Sequence, residues 1–263
     1  MSTEFVSTDI DDRGVATVTL DNPDKHNAFD DTIISQLTAA FSAVDADQHA
    51  RVMVLASNGR NFSAGGDLNW MKRMAAYTHE QNLQDSRALA EMLRVLNFMS
   101  RPTIARVQGV AFGGAVGLVS CCDMAVASAT ATFSLSEVKI GLMPATISPY
   151  VVAAIGARSA RRYFTTAERF SAEQAQAMGL VSELVADDSE LEAAVDALVS
   201  AILGNSPAAV AASKQLIFDV ANQPVEAELI EMTCQRIADI RASAEGQEGL
   251  TAFLEKRKPS WIQ

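Results

Sequence analysis

Thr103-Ile-Ala-Arg-Val-Gln-Gly-Val-Ala-Phe-Gly113-Gly114-Ala-Val-Gly117-Leu-Val-Ser-Cys-Cys-Asp123 is the stretch that decides the architecture. Thr103 to Val107 reads as a short buried strand. The glycines between 109 and 117 lead into an apolar helix reaching Cys122, and Met124 to Ala127 reads as the next strand. Strand, glycine-rich turn, helix and strand in succession announce α/β alternation.

Working outward, Pro102 ends a long helix expected from about Glu80 to Phe98, with Leu83, Ala90, Leu93 and Leu96 on one side. Arg51 to Ala56 and Gly14 to Leu20 are β-branched and bounded by turn residues, so both read as strands. Between them a helix starts on the acidic cap Asp30, with Ile33, Ile34, Leu37, Phe41 and Val44 at helical spacing. Downstream the chain is mostly helical. Ser171 with Gln174 and Ser189 with Glu192 have the spacing of capping boxes, and Ser206-Pro207 reads as a cap followed by proline at the first helical position. The expected division is an α/β core over 1–187 and a helical region over 188–263.

The 263 residues are enough for a sizeable core, and 49% of them are hydrophobic, far from a disordered composition. The formal net charge of −11 opposes a general nucleic-acid or anionic-membrane binder. Cys121, Cys122 and Cys234 do not make a disulfide framework and read as reduced, buried small residues. With neither a leader-like start nor a long apolar run, the expected location is the cytoplasm.

Several chemistries drop out. His26, His49 and His79 lack paired ligand spacing, so no metal site is expected. No G-x-S-x-G, G-x-G-x-x-G or G-K-[ST] pattern is present. Two glycine-rich turns remain, Ala64-Gly65-Gly66-Asp67 and Gly113-Gly114, each where a strand gives way to a helix. Glycine admits a ligand close to the backbone, and a helix start offers free N–H donors. Two such donors aimed at one point would hold a developing oxyanion. Glu137 lies in Phe133-Ser-Leu-Ser-Glu-Val-Lys-Ile-Gly141, and burial among Phe133, Leu135, Val138 and Ile140 would raise its pKa toward acid/base work.

Taken together, Lys25-His-Asn-Ala28-Phe, Phe62-Ser-Ala-Gly-Gly-Asp67-Leu68, Gln108-Gly-Val-Ala-Phe-Gly-Gly114, Cys122-Asp123, Phe133-Ser-Leu-Ser-Glu137, Gly141-Leu-Met-Pro144, Ala177-Met-Gly-Leu-Val181 and Phe253-Leu-Glu-Lys-Arg257 resemble the enoyl-CoA hydratase/isomerase (crotonase) family over nearly the whole chain. The resemblance implies an α/β spiral of repeated ββα units with a helical C-terminal region, assembled as a trimer or hexamer. It implies that the amides of Gly66 and Gly114 grip a thioester oxygen and that Glu137 moves protons. Lys25, Ala28, Ala64, Asp67 and Leu68 would line the coenzyme A site, while Phe253 and Lys256 would reach a neighbouring subunit's ligand. No cofactor is implied beyond the coenzyme A of the acyl-CoA substrate, and neither nucleic acid nor membrane is an implied partner.

Position 117 departs from the pattern. Hydratases of the family carry a first glutamate there, and this chain has glycine. Gly114 and Gly117 lie three residues apart on one helix face, so Gly117 is expected to leave space beside the reacting carbon. Phe112 to Asp123, Ser134 to Gly141 and Ala145-Thr-Ile-Ser-Pro-Tyr150 are similar to the bacterial methylglutaconyl-CoA hydratase branch of leucine and acyclic-terpene breakdown. The implied activity is hydration of a branched or carboxylate-bearing enoyl-CoA. The alternatives are a delta3-delta2 enoyl-CoA isomerase using Glu137 alone and a non-catalytic acyl-CoA binder.

Overall fold

The computed structural model describes residues 4–262. Strand β1 (Val6–Ile10) turns through Gly14 into β2 (Val15–Leu20), and a short 3-10 turn leads to α1 (Asp31–Ala46). There follow β3 (Val52–Ser57), α2 (Leu68–Met74), α3 (His79–Asn97), β4 (Thr103–Val107), β5 (Val110–Phe112), α4 (Gly114–Cys121), β6 (Met124–Ser128) and β7 (Thr132–Ser134). A 3-10 turn at Glu137–Ile140 precedes α5 (Ser148–Thr166), β8 (Phe170–Ser171), α6 (Ala172–Met178) and β9 (Glu183–Val185). The chain ends in α7 (Leu191–Leu203), α8 (Pro207–Val220), α9 (Ala227–Ala242) and α10 (Ala244–Glu255).

Two sheets organise these elements. The larger runs β1-β2-β3-β4-β6-β9, with β1 antiparallel to β2 and every later pair parallel. The smaller runs β5-β7-β8, and single bridges Ser63↔Ala111 and Phe29↔Gly66 extend it across the chain. Each pass therefore lays one strand in the large sheet, a short extended piece in the small one, and then a helix. This is the expected ββα spiral. Parallel strands covered on both faces need apolar residues throughout, and β3 is buried at all six positions.

Local chemistry sets the helix starts. The Asp30 carboxylate accepts from the amides of Thr32 and Ile33, and the five expected apolar residues of α1 are all buried. The capping box of Ser171 and Gln174 is present, and Ser206 caps α8. The Ser189–Glu192 box is not. Asp187 caps a 3-10 turn there instead, because its carboxylate reaches the Ser189 amide at 2.8 Å. In α3 the buried residues are Met92, Leu93 and Leu96, whereas Leu83 is exposed; the N-terminal half of the helix turns Asn82, Asp85 and Ser86 toward a cleft. Cys121 is buried, but Cys234 is exposed on α9, contrary to the expectation that all three thiols are buried.

The C-terminal helices divide into two kinds. Leu191, Val195 and Val199 of α7 cover the outer face of the large sheet, against Val15, Val52, Val54, Ile104 and Val126. Helix α8 is held by Lys214, only 8% exposed, whose ammonium meets Asp123 at 2.7 Å and the carbonyl of Arg101 at 3.0 Å. Asp123 also accepts from the backbone and side chain of Thr103, so Asp123 is a brace between β4 and α8. Helix α9, by contrast, has no buried residue. No single helix among the described residues is long and apolar enough to cross a membrane.

Candidate active site

The small sheet draws the two glycine turns together. Phe29 donates to Gly65 O and accepts from Asp67 N, Ser63 O accepts from Phe112 N, and a Cβ on Gly65 would lie 2.9 Å from Phe112 O. Only glycine allows that approach, and Gly65 also has φ 92°. Gly114 opens α4 directly beneath the Phe29 ring, where a Cβ would meet Cζ at 2.5 Å. Among the described residues neither the Gly66 amide nor the Gly114 amide donates a hydrogen bond. Two free donors thus sit on adjoining turns.

Glu137 stands beside them. It follows β7, whose Ser134 carbonyl accepts from Gly113 N at 2.8 Å, and a Cβ on Gly113 would lie 3.4 Å from Glu137 Oε1. Oε2 is buried with no hydrogen-bond partner. Burial pushes the Glu137 carboxyl above the ordinary carboxylate range, against a smaller lowering effect of its own backbone amide. The expected source of that burial needs correcting in part. Phe133 and Leu135 are buried as expected, but Val138 and Ile140 are exposed, so the close cover comes from the Gly113-Gly114 turn.

Glu137, Gly66, Gly114 and Ala64 all line one cleft of about 500 Å³, with Phe29, Trp70, Met71, Met74, Leu89, Met143 and Ile147 as its apolar walls. The other expected ligand-site residues take different places. Lys25, half-exposed, pairs with Asp67 at 3.1 Å. Asp67 is nearly buried, and its other oxygen caps α2 through the Asn69 and Trp70 amides; these hydrogen bonds and Lys25 hold its carboxyl below the usual range against the opposing effect of burial, the largest single influence. Ala28 is half-buried on the loop before Phe29, and Leu68 is exposed at the start of α2. Phe253 is exposed on α10 and Lys256 caps that helix with φ 56°; neither lines the cleft.

Gly117 corrects the sequence expectation outright. It does not line the cleft, and it leaves no space there. A Cβ at this position would meet Ile147 Cγ2 at 2.3 Å and Ile147 Cβ at 2.9 Å. The isoleucine of Ala145-Thr-Ile-Ser-Pro-Tyr150 occupies the volume that a side chain at 117 would need. Glycine here is a packing partner of Ile147.

Several residues that shape the site escaped sequence reading. Asn27 is buried with φ 54°, a conformation asparagine tolerates; its side chain donates to the carbonyls of Asn58 and Asn61 and accepts from Asn22 N. It fixes the loop that carries Lys25, Ala28 and Phe29. Trp70 and Asp85 escaped because only the tertiary contact between α2 and α3 brings them to the cleft, where Trp70 Nε1 donates to Asp85 Oδ1 at 3.1 Å.

Comparison with known proteins bears on the family and the fold. The family model described as enoyl-CoA hydratase/isomerase matches residues 11–263. The 2,3-dehydroadipyl-CoA hydratase of Escherichia coli K12 is 33% identical over 250 residues, covering 94% of each chain. A crystal structure of an enoyl-CoA hydratase from Shewanella pealeana superposes with a TM-score of 0.95 at 44% identity, covering 98% of this chain and 96% of that one. One from Mycobacterium smegmatis superposes at 0.92 with 32% identity over 99% of this chain and all of the other. With the family model matched over residues 11–263 and a relative 33% identical over 94% of its length, the chain belongs to the enoyl-CoA hydratase/isomerase family.

Proposed function

We propose that the protein adds water across the 2,3-double bond of a branched-chain enoyl-CoA, with Glu137 as its one acid/base group. The observation that carries this reading is the unpartnered, buried Oε2 of Glu137 in the same cleft as the two free amides. A thioester oxygen received by Gly66 N and Gly114 N gains charge as a nucleophile adds at C3, and each donor contributes about 3 kcal/mol to stabilising it. Glu137 takes a proton from water as the hydroxide adds to C3. The electron pair of the double bond passes to the thioester oxygen. The protonated Glu137 then returns the proton to C2 as the carbonyl reforms. One carboxyl, acting first as base and then as acid, closes the cycle.

The acyl cleft narrows the substrate. Beside the polar residues that α3 contributes, its walls are aromatic, Met, Leu and Ile, which suits an apolar branch. Among the described lining residues the ionisable groups are Glu137 and Asp85, with no lysine or arginine. That set favours an uncharged branch over the distal carboxylate of a methylglutaconyl group. The relative from Escherichia coli is named for a carboxylate-bearing substrate, 2,3-dehydroadipyl-CoA.

The test is a turnover panel of crotonyl-CoA, 3-methylcrotonyl-CoA, 3-methylglutaconyl-CoA and a 3-enoyl-CoA. Hydration of 3-methylcrotonyl-CoA faster than of 3-methylglutaconyl-CoA supports the reading. Efficient movement of the 3-enoyl double bond with no hydration of any 2-enoyl-CoA makes the protein an isomerase. Binding without turnover makes it an acyl-CoA carrier.

A further inference from the structure

The far wall of the acyl cleft is polar. Asn82, Asp85, Ser86 and Leu89 of α3 face it at helical spacing. Asp85 is half-buried, and its Oδ1 takes the Trp70 Nε1–H at 3.1 Å while Oδ2 has no partner among the described residues. Trp70 measures the depth of this wall. The six-membered edge of its indole would lie 3.5 Å from a Cβ on Gly66, and the opposite, nitrogen-bearing edge meets Asp85. Asp85 is therefore about one indole width from the Gly66 turn on the same cleft, a separation that on the acyl-CoA reading a medium-length acyl chain would span. Burial raises the Asp85 carboxyl above its ordinary range, with the Trp70 hydrogen bond opposing.

Resting on the acyl-CoA reading of this cleft, we infer that Asp85 is a specificity-determining residue that favours acyl groups ending in a hydrogen-bond donor, such as a hydroxyl, and disfavours those ending in a carboxylate. The indole holds one carboxylate oxygen, so the other remains to accept from the ligand. A terminal hydroxyl donates to it at no charge cost. A terminal carboxylate would bring a second negative charge into a partly desolvated space whose lining holds no lysine or arginine; Arg73, which acts on Asp85 from outside that lining, is already paired with Asp31, and like charges so placed are strongly unfavourable. A purely apolar end leaves the exposed oxygen unsatisfied.

Calorimetric binding of two saturated thioesters of equal length, 6-hydroxyhexanoyl-CoA and adipoyl-CoA, tests this without requiring turnover. The wild type is expected to bind the hydroxyl ligand at least about tenfold more tightly. Asp85→Asn keeps an acceptor for Trp70 and removes the charge, so the ratio is expected to fall to within about threefold, chiefly through tighter adipoyl-CoA binding. The ratio is read within one variant, so a general loss of stability does not move it; Asp85→Ser supplies a second neutral variant should the asparagine fail to fold. Equal binding of the two ligands by the wild type, or an unchanged ratio in the neutral variant, overturns the inference. Hydration of 3-methylcrotonyl-CoA by the wild type is measured alongside: its absence with the binding ratio intact sinks the hydratase reading and leaves the subsite standing, whereas hydration without the ratio does the reverse.

Discussion

Single atoms set the chemistry of this cleft, and the two donor glycines differ in what they tolerate. A methyl on Gly114 would strike the buried Phe29 ring at 2.5 Å, whereas one on Gly66 would press at 3.1 Å on the mobile end of Met71. Gly114→Ala should therefore displace its donor and cut turnover by about 10²–10³-fold, the usual loss for one oxyanion donor, while Gly66→Ala loses less. Steady-state kinetics on both variants checks the order, and equal losses contradict it. Glu137 makes a second expectation, about stability. Its carboxyl is raised from an ordinary value of about 4.5, so the folded chain binds that proton more tightly than the unfolded chain does. Its ionisation then costs stability as pH rises from the ordinary value through the raised one, and the cost is complete above both. Glu137→Gln should melt above the wild type at pH 8, with the gap closing below about pH 4. A gap independent of pH would rule out burial as its cause. Glu137, Gly66 and Gly114 were singled out by the resemblance that their motifs carry jointly, each motif being weak alone, and the structure brings all three to one cleft. Asp85, Trp70 and Ile147 were not legible, since their roles arise from contacts between helices distant along the chain.

At the scale of elements, α4 and the start of α5 fit through one pair, Gly117 and Ile147. Sequence reading took the glycine as vacant space because it could count a missing side chain but not see which neighbour had grown into the gap. Gly117→Ala should overpack the contact and cost about 1–3 kcal/mol, and Ile147→Ala should open a cavity costing about 2–5 kcal/mol. The double variant should be less destabilised than the sum by at least about 0.5 kcal/mol, because each change relieves the other. Denaturant unfolding of the four proteins checks the cycle, and strict additivity would separate the two residues. Elements with strong local signals were read well: β4, α1 with its Asp30 cap, and the Ser171 box all stand where patterning put them. The three-residue strand β5 was hidden among glycines, since its partner β7 lies some twenty residues away. The supposed Ser189 box failed because Asp187, two residues earlier, supplies a better-placed carboxylate for the same turn.

The whole molecule leaves part of its C-terminal region without a partner in the single chain. Ile230 and Ile237 of α9 are 52% and 46% exposed, and Leu250, Phe253 and Leu254 line an apolar side of α10. Faces of this kind mark interfaces. Three or six copies are the expected assembly, with Phe253 and Lys256 approaching a neighbour's ligand; sedimentation giving a monomer at every concentration contradicts it. Each chain already holds the chemistry of its own cleft, because both amides and Glu137 come from one spiral. The central claim is that Glu137 alone moves the proton during hydration. Its most direct test is the rate of oxygen-18 incorporation from labelled water into the 3-hydroxyacyl product of 3-methylcrotonyl-CoA, for the wild type and for Glu137→Gln. The account expects label at C3 with the wild type and a loss of about 10²–10⁴-fold in the variant with ligand binding retained; a variant that incorporates label at the parental rate would contradict it.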